Sequence, residues 1–172
     1  MRRVWAVTGS VIFFFLAPGI VAFLAPWLII QWRPDPLWPE AGWVKWAGIA
    51  IGVLGTAELL ECFARFALQG EGTPAPVAPT KHLVVTGAYR HVRNPMYVAV
   101  VTIILGSALW SASLAVFVYA ALVWLGFTAF VLVYEEPTLR ATFGKQYETY
   151  CANVGRWIPR LSPWTPQASA GV

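Results

Sequence analysis

Charge is scarce in this chain. Only 12% of its 172 residues are Asp, Glu, Lys or Arg, while 58% are hydrophobic; a soluble domain carries roughly 25% charged residues. The shortage excludes an ordinary soluble domain and points to a chain that faces lipid. Cysteine and histidine are nearly absent too, at two residues each. Cys62 and Cys151 cannot build a disulfide framework, and no metal-ligand spacing is present; both read as reduced, small apolar residues. A glycine-rich strand-to-helix loop is missing, since Gly70-Glu71-Gly72 runs into prolines rather than a helix. That excludes the nucleotide pocket of soluble α/β enzymes and any phosphate loop. The net charge of +4 is what basic cytoplasmic flanks would leave, and it needs no nucleic-acid partner.

What the chain has is long apolar runs. Residues 4–30 form the first, about 40 Å long if wholly helical, so a tilt, a kink near Pro18-Gly19 or an end before Pro26 is expected. Prolines stand where a secretory signal would want its cleavage site, so the segment reads as a retained helix. A proline-broken polar loop follows, flanked by Trp27, Trp32, Trp38, Trp43 and Trp46 in the manner of an interfacial belt. Residues 43–68 are the second span; Gly48 and Gly52 share a face and would let another helix approach closely. Glu58 sits at membrane depth, where carboxylates are costly, and Glu61 pairs with Arg65 at i, i+4. A Pro/Gly-rich linker, 69–80, leads to a basic polar stretch, 81–97. Residues 96–110 and 114–134 are the third and fourth spans, joined at Ser111-Ala112-Ser113. From Pro137, Leu139, Phe143, Tyr147 and Tyr150 fall on one face, as in an amphipathic helix lying along the interface.

The predicted fold is therefore all-α and polytopic: four transmembrane helices plus a C-terminal interfacial amphipathic helix. Residues 1–68 hold two spans, 69–159 the chemistry-bearing part, and 160–172 a disordered tail. Ten Lys/Arg flank the inside ends and two, Arg33 and Lys45, the outside. This places both termini in the cytoplasm and the chain in the inner (cytoplasmic) membrane. Its oligomeric state is not legible.

The tight turn makes the last two spans an antiparallel hairpin, so Pro95 and Glu135 share its cytoplasmic end. The preceding loop brings Lys81, Tyr89, Arg93 and Asn94 there, and the following helix brings Phe143, Tyr147 and Tyr150. A polar pocket with aromatic walls is expected, suited to a ligand with polar and apolar parts.

The series GAYRHVRNPMY at 87–97, YEEPTL at 134–139, FGKQYETY at 143–150 and RWIP at 156–159 resembles the isoprenylcysteine carboxyl methyltransferase family, akin to the membrane phospholipid N-methyltransferases. The resemblance covers residues ~81–159, by the order and spacing of these motifs. It implies an integral-membrane enzyme that moves a methyl group from S-adenosylmethionine to a lipophilic or lipid-linked carboxylate, amine or thiol. It also implies a cofactor pocket made of Lys81, His82, Leu83, Val84, Tyr89, Asn94, Pro95, Met96, Tyr97, Glu135 and Tyr147, with Phe143 helping to cap it. Arg93 and Glu136 are the candidate catalytic residues. Should the acceptor need deprotonation, Glu136, Glu58 or His91 would assist. Two positions depart from the family pattern: Asn94 stands where many members have histidine, and Val131 where prenylcysteine-methylating members have arginine. The competing readings are a membrane reductase using a nicotinamide cofactor and a non-catalytic membrane scaffold.

Overall fold

A computed structural model describes residues 15–32, 42–69 and 83–165. The start of the first expected helix, most of the proline-broken loop, the linker through His82 and residues 166–172 lie outside them. Among the described residues every regular element is a helix, the stretches around them, such as 83–86 and 154–165, are loop, and one isolated parallel bridge joins Val92 and Gly155.

Helix α1 is π-wound over Phe15–Leu24 and α-helical over Ala25–Trp32. Neither proline ends it. Pro26 offers no N–H to the carbonyl four residues back and its ring crowds that carbonyl, and wider winding ahead of it relieves the clash. Helix α2 spans Gly42–Gln69. Helix α3, Pro95–Ser111, starts on a proline whose missing N–H costs nothing there. It ends at Ala112, left-handed at φ 52°. Ser113 then caps α4, Leu114–Phe130, its Oγ accepting from the Val116 amide at 3.4 Å. The antiparallel hairpin read from the sequence is thus built as a cap facing a cap.

Helix α4 does not stop at Tyr134. It passes through a π turn, Val131–Glu135, into α5, Glu136–Phe143. Pro137 again removes a backbone donor, and the wide turn just before it absorbs the loss. Gly144, at φ +49°, then breaks the chain before α6, Lys145–Asn153. The single interfacial helix expected from Pro137 onward is therefore two short ones, the first continuous with α4. A glycine inside a helical pattern is usually tolerated, but this one takes a conformation that side chains disfavour.

Among the described residues, two helices are long and apolar enough to cross a membrane, Gly42–Arg65 and Leu114–Phe143. The other two of the four expected spans are shorter apolar helices among the described residues, Leu16–Gln31 and Pro95–Ser111. Seventeen residues of α-helix reach about 25 Å, short of a ~30 Å hydrocarbon core. Large apolar side chains face outward along α2 and α4, Trp43 at 75% and Val133 at 79% exposure among them. Lipid, not water, suits such a surface.

Helices α2 and α3 pack closest, through glycine. A Cβ on Gly106 would lie 2.6 Å from the Gly52 nitrogen and 2.7 Å from the Gly48 oxygen. The close approach expected at Gly48 and Gly52 is thus made within the chain. Because the obstructing atoms are backbone, Gly106→Ala is expected to lower stability by about 1–3 kcal/mol, read as a fall in the thermal unfolding midpoint in detergent. An unchanged midpoint would contradict this packing. Leu59, Ile103, Ile104 and Val116 fill the core beside it, and the Tyr119 hydroxyl ties α4 to α1 by donating to the Val21 carbonyl at 3.0 Å.

Candidate active site

Four stretches converge at one end of the hairpin: the loop ahead of α3, the first turn of α3, the π turn joining α4 to α5, and α6. The loop is shaped by Gly87, at φ +53°, where a Cβ would run into the Arg65 guanidinium from the end of α2. A 3₁₀ turn, Gly87–Arg90, follows and carries Tyr89 inward.

The cavity they enclose, ≈ 120 Å³, is lined by thirteen residues that divide by chemistry. Leu83, Val84, Met96, Val131 and Leu139 make its apolar wall; Tyr89, Tyr97, Tyr147 and Tyr150 its aromatic one; Arg93, Asn94, Glu135 and Glu136 its polar one. Burial pushes the phenols of Tyr147 and Tyr150 above their ordinary range, which keeps both neutral at physiological pH. Tyr150 donates to the Tyr89 carbonyl at 2.7 Å, and the Arg140 guanidinium stands 6.0 Å from the Tyr147 ring centre.

The two glutamates are adjacent in sequence and different in circumstance. Glu136 is buried, with its side chain 7% exposed. Its Oε1 accepts from Arg93 Nη1 at 3.0 Å and from Arg156 Nε at 2.6 Å, and its Oε2 from Arg156 Nη2 at 3.0 Å. The bond to Glu136 holds Arg156 above its ordinary value. Glu135 accepts from the Tyr97 hydroxyl at 2.9 Å, and among the described residues no cation pairs with it. Arg93 also donates from Nη1 to Cys151 Sγ at 2.8 Å, yet its buried Nε has no described partner. Two residues of the lining thus hold unspent polar groups: Glu135 a carboxylate with no described cation, and Arg93 a buried Nε with no described acceptor.

Of the residues singled out in the sequence, Leu83, Val84, Tyr89, Arg93, Asn94, Met96, Tyr97, Glu135, Glu136 and Tyr147 line it together. Lys81 and His82 lie outside the described residues. Pro95 is buried at the start of α3 and is not among the lining residues, because its place in the first turn turns it into the protein. Phe143 packs against the Tyr147–Tyr150 cluster instead of lining the cavity. Glu58 and His91 are elsewhere: Glu58 is the acceptor for the Cys62 thiol at 3.7 Å, and His91 Nδ1 lies 2.8 Å from the Arg160 carbonyl. Asn94 sends its Nδ2 to the Arg156 carbonyl at 3.2 Å, so its amide donor anchors the chain's last segment.

RWIP at 156–159 was legible as a motif, but the continuation of the segment beyond it was not. Residues 160–165, grouped with the tail in the sequence, run back along the loop. Arg160 and Trp164 amides donate to the His91 and Arg90 carbonyls, each at 2.9 Å, and Trp164 packs on Tyr150 at 5.8 Å between ring centres. Arg156 enters the site by this route. Val131 and Leu139 are the additions to the lining, beside the expected Tyr150; their spacing from Glu135 and Glu136, at four and three residues, is the helical signal that could have found them.

The family described as phospholipid methyltransferase matches residues 43–146, more than half of the chain. The match takes in α2 as well as the hairpin and both glutamates, and it agrees with the resemblance carried by the motifs. Comparison with curated proteins and with solved structures finds no match.

Proposed function

The chain belongs to the phospholipid methyltransferase family, and on that premise we propose that it is an S-adenosylmethionine-dependent enzyme methylating a lipophilic or lipid-linked acceptor at the cytoplasmic membrane interface. The observation that carries this reading is the pair of unspent polar groups among the lining residues, the Glu135 carboxylate and the Arg93 Nε. S-adenosylmethionine ends in a zwitterion, an ammonium beside a carboxylate. Glu135 suits the first and the orphaned guanidinium edge the second. The donor set therefore fits the cofactor.

Bound there, the cofactor would supply a methyl group already activated on a sulfonium. The chain's own part is to bind, orient and exclude water. Tyr97 holds the Glu135 carboxylate in one orientation, and the apolar wall from Leu83 to Leu139 keeps the cavity dry. Arg93 anchors rather than reacts. Glu136 is not free to act as a base, since guanidiniums occupy both its oxygens; it holds Arg93 in place. A carboxylate acceptor needs no base, and an amine or thiol has to arrive deprotonated or lose its proton to water.

A lipophilic acceptor enters from the bilayer side. There Tyr97 stacks on Phe127 at 4.6 Å, and Trp157 stands 6.5 Å from Tyr97 and 6.4 Å from the exposed Trp124. These rings run from Tyr97 in the cavity wall to Trp124 on the exposed surface. Four crossings with both termini inside accord with the ten-to-two distribution of basic residues; on that topology α3 crosses as a short span packed closely on α2.

The test is transfer of labelled methyl from S-adenosylmethionine by purified protein to phosphatidylethanolamine vesicles and, separately, to a prenylcysteine analogue. Label in the organic extract of one of them is expected. Folded protein that labels neither contradicts the reading and favours a scaffold.

A further inference from the structure

We infer that Arg156 is a positioning residue, whose fork on Glu136 leaves the buried Nε of Arg93 without a protein acceptor and so unspent for a carboxylate ligand. The inference rests on the methyl-donor reading above. Arg156 does not line the cavity. Its backbone is pinned on both sides: the Arg93 amide donates to the Gly155 carbonyl at 2.8 Å, Asn94 Nδ2 to the Arg156 carbonyl at 3.2 Å, and the Arg160 amide to the His91 carbonyl at 2.9 Å. From this fixed base the guanidinium meets Glu136 with two parallel bonds, Nε to Oε1 at 2.6 Å and Nη2 to Oε2 at 3.0 Å. Such a fork sets the plane of the carboxylate.

Arg93 receives what is left. Its Nη1 makes one bond to Glu136 Oε1 at 3.0 Å, and its buried Nε makes none among the described residues. An arginine and a glutamate left to themselves favour the two-bond fork. Without Arg156, the Glu136 carboxylate is free to turn and take Arg93 in that manner, covering Nε. Arg156 wins the competition for Glu136 because its fork is already satisfied and its backbone cannot retreat. The site thereby keeps one strong donor edge unspent, which is costly in a buried place and explicable if a ligand uses it.

The experiment compares two probes, S-adenosylmethionine and its decarboxylated form, which keeps the ammonium and sulfonium but lacks the carboxylate. Calorimetric affinities are measured for wild type, Arg156→Ala and Arg156→Lys. Arg156→Lys keeps the charge and the fold but cannot fork. Wild type is expected to prefer S-adenosylmethionine. Both variants should bind it about tenfold more weakly or worse, with affinity for the decarboxylated form changed less than about twofold. Loss of both probes in parallel in the folded lysine variant would mean a merely structural role and would overturn the inference. So would wild-type affinity of Arg156→Lys for both. Wild type that binds neither probe overturns the methyl-donor reading, and this inference with it.

Discussion

Glu135→Gln is expected to weaken binding of S-adenosylmethionine by roughly 10–100-fold while leaving the protein folded. The size follows from the interaction lost: a hydrogen bond to a charged group is worth about 1.5–3 kcal/mol, and each ~1.4 kcal/mol is tenfold in affinity. Glutamine is the informative replacement. It keeps an oxygen for the Tyr97 hydroxyl, which donates to Glu135 at 2.9 Å, and removes only the charge meant for the ligand's ammonium. Glu135→Ala would also strand that hydroxyl in the cavity wall, adding a cost of about 1–3 kcal/mol that is unrelated to the ligand. Calorimetry gives the affinity and thermal unfolding the control. Wild-type affinity in Glu135→Gln would remove Glu135 from the binding machinery.

Glu136→Ala should instead unfold easily. Its carboxylate is shared by Arg93 and Arg156, whose side chains are 11% and 32% exposed. Removing the one anion between two cations leaves guanidiniums close together and unbalanced, Arg93 in a buried place. Stripping one partner from a buried pair costs about 3–5 kcal/mol, and the partial exposure of Arg156 puts this case toward the lower end. For a chain of this size ~3 kcal/mol lowers the unfolding midpoint by roughly 6–12 °C. Glu136→Gln, which keeps acceptor oxygen, should fall less. A midpoint unmoved in Glu136→Ala would mean that the pair of forks contributes nothing to the fold. The two neighbouring glutamates thus separate by phenotype: one mutant folded and poor at binding, the other unstable.

The hairpin and its polar end were legible in the sequence because the signals are local. A three-residue Ser-Ala-Ser turn between apolar runs leaves only an antiparallel return, and that alone brings Asn94 and Glu135 to one end. Tyr147 and Tyr150 followed from helical spacing. The π turn at Val131–Glu135 was not legible, since a single wide turn barely disturbs the apolar pattern; the signal was Pro137 and its missing donor. The break at Gly144 was hidden by the regular spacing of Leu139, Phe143, Tyr147 and Tyr150, which runs straight through it. The length of each span was less legible than its place: α3 is apolar throughout but only Pro95–Ser111, and hydropathy alone does not weigh reach. Arg156 was legible as part of the RWIP motif, but its role was not. Its partner lies twenty residues back, and the segment that carries it has no periodicity of its own. That segment is held by amides and carbonyls of residues 90–94, which every sequence possesses and none advertises.

The reassignment of Glu136 shows how geometry outranks motif reading. A glutamate beside a suspected cofactor pocket invites the role of base. Two guanidiniums on its oxygens favour a strut, and on the proposed reading the unspent groups beside it, Glu135 and the Arg93 Nε, are the ones that would meet a ligand.

The central claim, that this cavity holds the zwitterionic end of S-adenosylmethionine, is tested most directly by calorimetric titration of detergent-purified wild-type protein with that compound and with its demethylated product. Saturable binding of both, weakened in Glu135→Gln, is the result predicted here. Folded wild-type protein that binds neither, with or without added lipid, would contradict it.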